Sequence, residues 1–149
     1  MTENELELLK KAMLNEDEGA EYYLYQSKQW HEKSVCENFK MLAEEEELHS
    51  KWLRELFDST KTFGDDRIMS FMKDIESPKL FDWTDIKRIS DLSLKDVFKK
   101  AMDMEEASAR YYQTMKEEAT DIQLVSLLNC LIEWEISHYK SFKEVYESM

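Results

Sequence analysis

The chain has 149 residues, of which 42% are hydrophobic, and this is enough for one domain with a buried core. Its formal net charge of -13 argues against nucleic acid or an anionic membrane surface as a partner, because both repel an acidic protein. Two glycines and one proline leave few helix breakers, and strand-like alternation with turn dipeptides is absent, so the sequence predicts an all-α fold.

Four amphipathic helices are predicted, in two pairs. In chain order they run from about residue 6 to 29, 34 to 57, 93 to 118 and 120 to 146. Each of the last three begins at a Ser or Thr that is followed three residues later by Glu, Asp or Gln, which is the pattern of a capping box. Because the turn within each pair is short, each pair is predicted to form an antiparallel hairpin.

The segment 58–92 lies between the two pairs and has no counterpart elsewhere in the chain. It contains Gly64 and Pro78, together with apolar residues that suggest short helical pieces. Two equivalent hairpins in one bundle need a long crossover between the second and third helices. We therefore predict a single domain over residues 1–149, with residues 58–92 as the crossover.

The two helix pairs repeat the same pattern without a gap in the alignment. Each member of the second set lies 89 positions after its counterpart (16 to 105, 46 to 135, 49 to 138). The repeated acidic and imidazole residues are Glu16, Glu46, His49, Glu105, Glu135 and His138. The pair Tyr22-Tyr23 also recurs, as Tyr111-Tyr112, so the chain reads as two hairpins descended from one.

The repeated residues have the chemistry and the spacing of metal ligands. Glu46 and His49 are three positions apart on one helix, about 60° around its axis, so both can reach one ion, and the same holds for their counterparts. Four carboxylates and two imidazoles are the ligands of a carboxylate-bridged dinuclear site in a four-helix bundle. These ligands suit Fe(II) or Mn(II), and Zn(II) can also enter, so we expect two metal ions with iron as the first choice.

The acidic residues of this pattern also allow another interpretation. The acidic run 44–47 taken alone is typical of a solvated helix face. Glu135 and His138, however, follow an apolar stretch that contains Leu127 and Leu131, where a charged group is costly unless it is paired or coordinated.

Two tyrosines are candidates for the surroundings of the site. Tyr23 and Tyr112 each lie seven residues after a ligand glutamate, two helical turns along the same face. Each could donate a hydrogen bond to a ligand carboxylate of the other half, or could be an ordinary core tyrosine. Gly19 and Ser108 are small residues one turn from the ligands and leave room for a bound oxygen species or a shifting carboxylate.

The two cysteines, His31 and the N-terminal residues give further expectations about the thiols, the surface and the location of the protein in the cell. Cys36 and Cys130 are predicted to be buried free thiols, and two cysteines cannot form a four-cysteine iron or zinc site within this chain. His31 has no repeat partner and is expected at the surface. The acidic N-terminal residues 1–5 are not followed by a long apolar run, so a soluble cytoplasmic protein is expected.

The motif M-x-x-E-x-x-G-x-x-Y-Y from Met13 to Tyr23, the run L-A-E-E-E-E-L-H from Leu42 to His49, and their echoes in the second half resemble the rubrerythrin family of ferritin-like di-iron proteins. The resemblance covers both hairpins. It implies a ferritin-like four-helix bundle of two repeated helical hairpins joined by a long crossover, with a di-iron site at the six repeated residues. It also implies reaction of the reduced site with hydrogen peroxide or dioxygen, and a homodimer.

Two features depart from full-length members of that family. Full-length members carry a four-cysteine rubredoxin-type domain that supplies electrons. This chain has only two cysteines, so its electrons would come from a separate donor protein or a small reductant. They also carry an additional glutamate, which exchanges with a histidine as the metals change oxidation state, at the position that is Ser108 in this chain. The redox-linked ligand exchange is therefore in doubt.

Three functional hypotheses follow. The leading one is a non-haem di-iron oxidoreductase that reduces hydrogen peroxide or dioxygen with electrons from an external donor. The alternative is a non-enzymatic protein that binds, stores or senses iron, although storage proteins form large cages and often have a further C-terminal helix. Oxygenation of an organic substrate is a third hypothesis, and the short crossover argues against it. The fold can host all three activities, so the fold does not choose among them.

Overall fold

The computed structural model describes residues 1–59 and 94–148. They form four helices, which are α1 (Glu3–Gln26), α2 (Lys33–Ser59), α3 (Leu94–Glu118) and α4 (Ile122–Ser148). These two stretches contain no strand, and the predicted all-α class is confirmed. The predicted crossover, 58–92, lies outside the described residues except for residues 58 and 59, which belong to the end of α2.

The first helix begins earlier than its apolar pattern predicted. Thr2 is its N-cap, and the Thr2 hydroxyl accepts a hydrogen bond from the backbone N–H of Glu5 at 3.1 Å. The cap satisfies an N–H that has no partner within the helix, so the helix extends beyond the first apolar residue. It ends at Gln26, before the predicted end at residue 29, and the N–H of Ser27 donates to the carbonyl of Tyr23 at 2.9 Å.

Two of the predicted capping boxes are wrong. Ser34 lies inside α2, because that helix begins at Lys33. The last helix is capped by Asp121 and not by Thr120: the Asp121 carboxylate accepts a hydrogen bond from the N–H of Leu124 at 3.0 Å. Aspartate is at least as good an N-cap as threonine, so the N-cap lies one residue further along the chain than predicted.

The described helices form two compact units. Hairpin one consists of α1 and α2, and hairpin two consists of α3 and α4. In hairpin one the ring of Tyr23 stacks on Phe39, with centroids 6.1 Å apart, while Asp17, further back along α1, bonds to Ser50. Residues later in α1 thus contact residues earlier in α2, so the pair is antiparallel as predicted.

Hairpin two is antiparallel for the same reason. Lys116, near the end of α3, donates a hydrogen bond to Asn129 at 3.0 Å, whereas Phe98, near the start of α3, packs on Phe142 with ring centroids 5.5 Å apart. The short turns that the sequence places inside each pair permit only this arrangement.

Both hairpins bury large apolar side chains, and two repeat pairs are almost fully buried in both hairpins, Tyr23 with Tyr112 and Phe39 with Leu128. In hairpin one the most deeply buried are Leu6, Leu9, Met13, Tyr23, Phe39 and Leu53. In hairpin two they are Tyr112, Met115, Leu124, Leu128 and Leu131. Removing one such side chain from water contributes about 1.5–3 kcal/mol, so these residues stabilise the helices far more than the exposed ion pairs do.

The two cysteines differ from their prediction in burial. Both are free thiols, but Cys36 is half-buried and Cys130 is exposed. The Cys36 thiol donates to the carbonyl of Trp30 at 3.0 Å, at the turn between α1 and α2. His31, in the same turn, is exposed as predicted. Within the described part of the chain, no helix has the length and apolar content that a membrane crossing requires.

Candidate metal centre

Hairpin one brings together its three predicted ligands, which we call triad one: Glu16 from α1, with Glu46 and His49 from α2. All three are buried. The Nδ1 atom of His49 lies 3.7 Å from Oε1 of Glu16 and 3.7 Å from Oε2 of Glu46. One ligand atom of each residue lies within 4.8 Å of the other two.

Hairpin two brings together the equivalent residues, triad two: Glu105 from α3, with Glu135 and His138 from α4. The Nδ1 atom of His138 lies 3.5 Å from Oε1 of Glu105, and one ligand atom from each residue falls within a 4.8 Å cluster. The two glutamates are buried, whereas the side chain of His138 is 12% exposed.

The distances and the donor atoms in each triad fit a divalent cation. Separations of 3.5–3.7 Å are longer than a hydrogen bond. Metal bonds to carboxylate oxygen and imidazole nitrogen are about 2.0–2.2 Å, so two atoms on one ion lie roughly 3.0–3.5 Å apart. A small movement of the side chains would therefore let each triad close on an ion. Buried carboxylates are costly when no cation compensates their charge, which also favours occupancy by metal.

Hairpin one surrounds its triad with specific side chains. A Cβ atom added at Gly19 would lie 3.7 Å from the carboxylate group of Glu46, which is an ordinary van der Waals contact. The small residue therefore leaves a methyl-sized space beside that ligand. The ring of Trp52 lies against the imidazole of His49, with centroids 5.8 Å apart. Trp52 therefore packs against a predicted ligand.

A polar network beside triad one was not predicted. The Ser50 hydroxyl of α2 donates a hydrogen bond to the carboxylate of Asp17 on α1 at 2.5 Å, and Arg54 forms an ion pair with the same carboxylate. Asp17 and Ser50 directly follow the ligands Glu16 and His49 in the chain. The network therefore ties together the two helix segments that carry the ligands. The sequence shows only that Asp17 and Ser50 are next to the predicted ligands in the chain.

The two predicted tyrosines are both completely buried. Tyr23 and Tyr112 have no exposed surface, and the face of Tyr23 is stacked on Phe39 with an interplanar angle of 25°. Tyr23 thus has a packing role in hairpin one. A hydrogen bond from either hydroxyl to a ligand carboxylate stays a prediction. Ser108, at the position of the family's additional glutamate, is also buried.

Comparisons with known proteins agree with this arrangement. A family model described as Rubrerythrin matches residues 7–146. Among solved structures, a candidate ferritin-like diiron-carboxylate protein from Thermotoga maritima is 22% identical, with a TM-score of 0.73 over 96% of this chain and 94% of that chain. A hypothetical protein from Pyrococcus furiosus is 24% identical, with a TM-score of 0.68 over 95% of this chain and 88% of that one. The curated protein sequences gave no match. At these identities, the two likenesses establish a shared ferritin-like fold.

Proposed function

The chain belongs to the rubrerythrin family, and from this membership we propose that its two triads act together to bind two iron ions. We further propose that the loaded protein reduces hydrogen peroxide, or dioxygen, with electrons from a separate donor. The observation that carries the proposal is that each hairpin brings two buried glutamates and one histidine, at the same repeat positions, within ligand distance of one another. The structural relative from Thermotoga maritima, described as a candidate diiron-carboxylate protein, supports the choice of metal.

The ligands supply what such a reaction requires of the protein. Two ferrous ions, when bound, provide two electrons and Lewis acidity for breaking an O–O bond. His49 and His138 are neutral donors, whereas the four glutamates carry the negative charge that balances the cations. Burial of Glu16, Glu46 and their counterparts strengthens that attraction, because the local dielectric constant is lower than in water.

The proposal extends to partners that the ligands alone do not identify. Two cysteines cannot build a rubredoxin-type centre in this chain, so we propose that a separate one-electron donor protein returns the metals to the ferrous state. We also propose a homodimer, which the resemblance to the rubrerythrin family implies, and a location in the cytoplasm.

The first test measures the metal content of protein purified anaerobically from iron-supplemented cells. The wild type should hold about two irons per chain, and Glu46→Ala and Glu135→Ala should each lose most of this iron. Glu47→Ala and Glu133→Ala are matched controls, because both are exposed glutamates close to the ligands. Equal iron in the ligand variants and the controls would contradict the proposed site.

The second test mixes the anaerobic ferrous protein with hydrogen peroxide in a stopped-flow instrument. We expect oxidation much faster than that of free ferrous ion in the same buffer, with two electrons consumed per peroxide. Bound iron without such a reaction would instead support the alternative function, in which the protein binds, stores or senses iron. Mass determination by light scattering would then separate a dimer from a storage cage.

A further inference from the structure

Three exposed or half-exposed apolar side chains form one stripe along α2, which we call the apolar stripe: Met41, Leu48 and Trp52. Their spacing in the chain places them within about 40° of one another around the helix. Met41 is 58% exposed, Leu48 is 42% exposed, and Trp52 is half-buried. The buried side chains of α2, which include Phe39 and Leu53, lie on the opposite side of that helix.

The fold does not require this stripe. The three matching positions of α4 hold Cys130, Ser137 and Ser141, and all three are exposed. A helix of the same repeat thus forms its hairpin with small side chains at these positions. Grouped apolar side chains on the surface indicate an interaction site, and tryptophan and methionine are enriched at protein interfaces.

The flanks of the apolar stripe are acidic. Within about 60° of the stripe around the helix, α2 carries neither lysine nor arginine but has four glutamates, which are Glu37, Glu44, Glu45 and Glu55. Glu37 and Glu55 are partly balanced by lysines further round the helix, at N–O distances of 3.8 and 3.9 Å. Glu44 and Glu45 are exposed on either side of Leu48. These flanks attract a basic partner, whereas a second copy of the same face would be repelled by like charges.

Trp52 connects the apolar stripe to triad one. Its ring contacts the ring of His49, with centroids 5.8 Å apart and planes inclined by 31°. The Nδ1 atom of the same imidazole lies 3.7 Å from carboxylate oxygens of Glu16 and Glu46. A protein docked on the stripe would therefore be separated from a predicted metal ligand by one aromatic ring. Electron tunnelling weakens exponentially with distance, so this contact offers a short path into the site.

We propose that the apolar stripe is the docking site of the separate electron donor, a small basic protein that carries one electron on a cofactor with an exposed edge. The inference rests on the proposed function, because it assigns a surface and a chemical class to the donor that the same metal site requires. Basic groups of the donor would face Glu44 and Glu45, and its cofactor edge would lie against Trp52.

The size of the apolar stripe suits such a partner. From Met41 to Trp52 it is about 17 Å long. Weak electron-transfer complexes bury less than about 1,200 Å² in total, whereas permanent dimers bury about 2,000 Å² or more. A short apolar stripe with charged flanks matches the smaller, transient class, which must also release the donor after each transfer.

Each docking event transfers one electron. The donor is oxidised by one electron and one Fe(III) ion is reduced to Fe(II). Two donors therefore restore the two Fe(II) ions that one molecule of peroxide oxidises. No bond forms or breaks in this step, and the indole of Trp52 is neither oxidised nor reduced. Its role is to place aromatic atoms between the cofactor edge and His49.

Docking can be measured without a redox reaction. The probe is cytochrome c with zinc porphyrin in place of haem, a basic protein with an exposed porphyrin edge, titrated calorimetrically at low salt into protein loaded with Zn(II). Leu48→Ser introduces the residue that hairpin two carries at the matching position and should weaken binding by about fivefold. Val145→Ser is the matched control, because Val145 is 41% exposed, and should not affect binding. Equal affinity in the two variants would overturn the inference.

The contribution of charge is tested by Glu44→Lys and Glu133→Lys. Glu133 is the exposed counterpart of Glu44 in hairpin two, so both variants change the net charge equally. At low salt Glu44→Lys should weaken binding by about tenfold more than Glu133→Lys, and this difference should shrink at high salt. Equal affinity in both variants, or no saturable binding by the wild type, would overturn the inference. So would light scattering that shows a wild-type dimer and a monomeric Leu48→Ser, because a second copy would then occupy the stripe.

The electron path is tested on the Fe(III) protein with the same probe. A laser flash turns the zinc porphyrin into a strong reductant, and its decay within the complex reports the transfer of one electron. Trp52→Leu should lose most of the transfer rate, whereas Trp52→Phe keeps an aromatic ring and should retain most of it. Rates are compared per bound iron, because Trp52 packs against a predicted ligand. Equal rates in the wild type and Trp52→Leu, or equal losses in both variants, would contradict the path.

These outcomes are distinguishable from failure of the proposed function. If the ferrous protein reacts rapidly with hydrogen peroxide but the variants of the apolar stripe change neither docking nor electron transfer, the inference fails and the proposed function stands. If bound iron does not react with peroxide, the proposed function fails, and the assignment of the stripe to its electron donor fails with it.

Discussion

Hairpin one and hairpin two carry the same three predicted ligands at the same repeat positions, yet the residues around them differ. In hairpin one, Asp17 is bonded across the hairpin to Ser50 and Arg54 beside the triad. In hairpin two, the counterpart of Asp17 is Glu106, which pairs instead with Arg110 of its own helix. Metal coordination would restrict the predicted ligands to particular atoms and spacings, whereas the neighbouring positions are free to change. A duplicated chain can therefore keep the predicted ligands and still surround them differently in its two halves.

The cores of the hairpins differ as well, and this predicts the largest effect on stability. Phe98 and Phe142 pack edge to face in hairpin two, at positions where hairpin one has Leu9 and Leu53. Phe142→Ala should lower the free energy of unfolding by about 3–5 kcal/mol, because a cavity replaces a buried ring. Urea titration followed by circular dichroism measures this.

Two further variants provide a comparison for the loss of unfolding free energy in Phe142→Ala. Leu53→Ala, at the matching position of hairpin one, should cost about 2–5 kcal/mol, since its side chain is fully buried. Val145→Ala, at a position that is 41% exposed, should stay within about 0.5 kcal/mol of the wild type. A Phe142→Ala cost as small as that of Val145→Ala would mean that the ring pair does not stabilise hairpin two.

The tyrosine pairs allow a comparison at high pH. Tyr22 is buried whereas its counterpart Tyr111 is half-exposed. Burial raises the pKa of the Tyr22 hydroxyl well above its ordinary value. Folding is therefore stabilised below the unfolded pKa of about 10, and this contribution is lost as the pH rises toward the folded pKa. We expect a loss of up to about 1.4 kcal/mol per pH unit above pH 10 from this residue.

The measurement is urea unfolding at several pH values from 9 to 11.5. Other groups titrate in this range, so the relevant quantity is the difference in slope between the wild type and Tyr22→Phe. That variant should lose stability less steeply with pH. Tyr111→Phe is the matched control, and the same change of slope in both variants would contradict a burial effect at Tyr22.

The smallest predicted effect concerns the polar contacts that distinguish the hairpins. Asp17→Ala removes a hydrogen bond from Ser50 and an ion pair with Arg54, both of them cross-helix contacts, and should cost about 1 kcal/mol. Glu106→Ala removes a pair within one helix and should cost less than about 0.5 kcal/mol. Equal unfolding midpoints for the two variants in urea would show that the cross-helix network does not stabilise hairpin one.

The sequence alone determined the helical class, the four helices, the internal repeat and the six ligand candidates. Each of these depends on periodicity or on exact repetition, which can be read along a chain. The sequence did not determine the start of the last helix, because Thr120 and Asp121 are both good N-caps. The structure shows that Asp121 accepts the hydrogen bond from the N–H of Leu124.

Tertiary structure decided which residues surround the ligands. Asp17 and Arg54 are 37 positions apart, and the ring contact between Trp52 and His49 depends on side-chain rotation, so neither contact follows from spacing alone. Ligands are recognisable in a sequence because a metal demands particular atoms at particular spacings. The space beside the ligands cannot be recognised in a sequence, because its shape depends on the packing of many side chains at once.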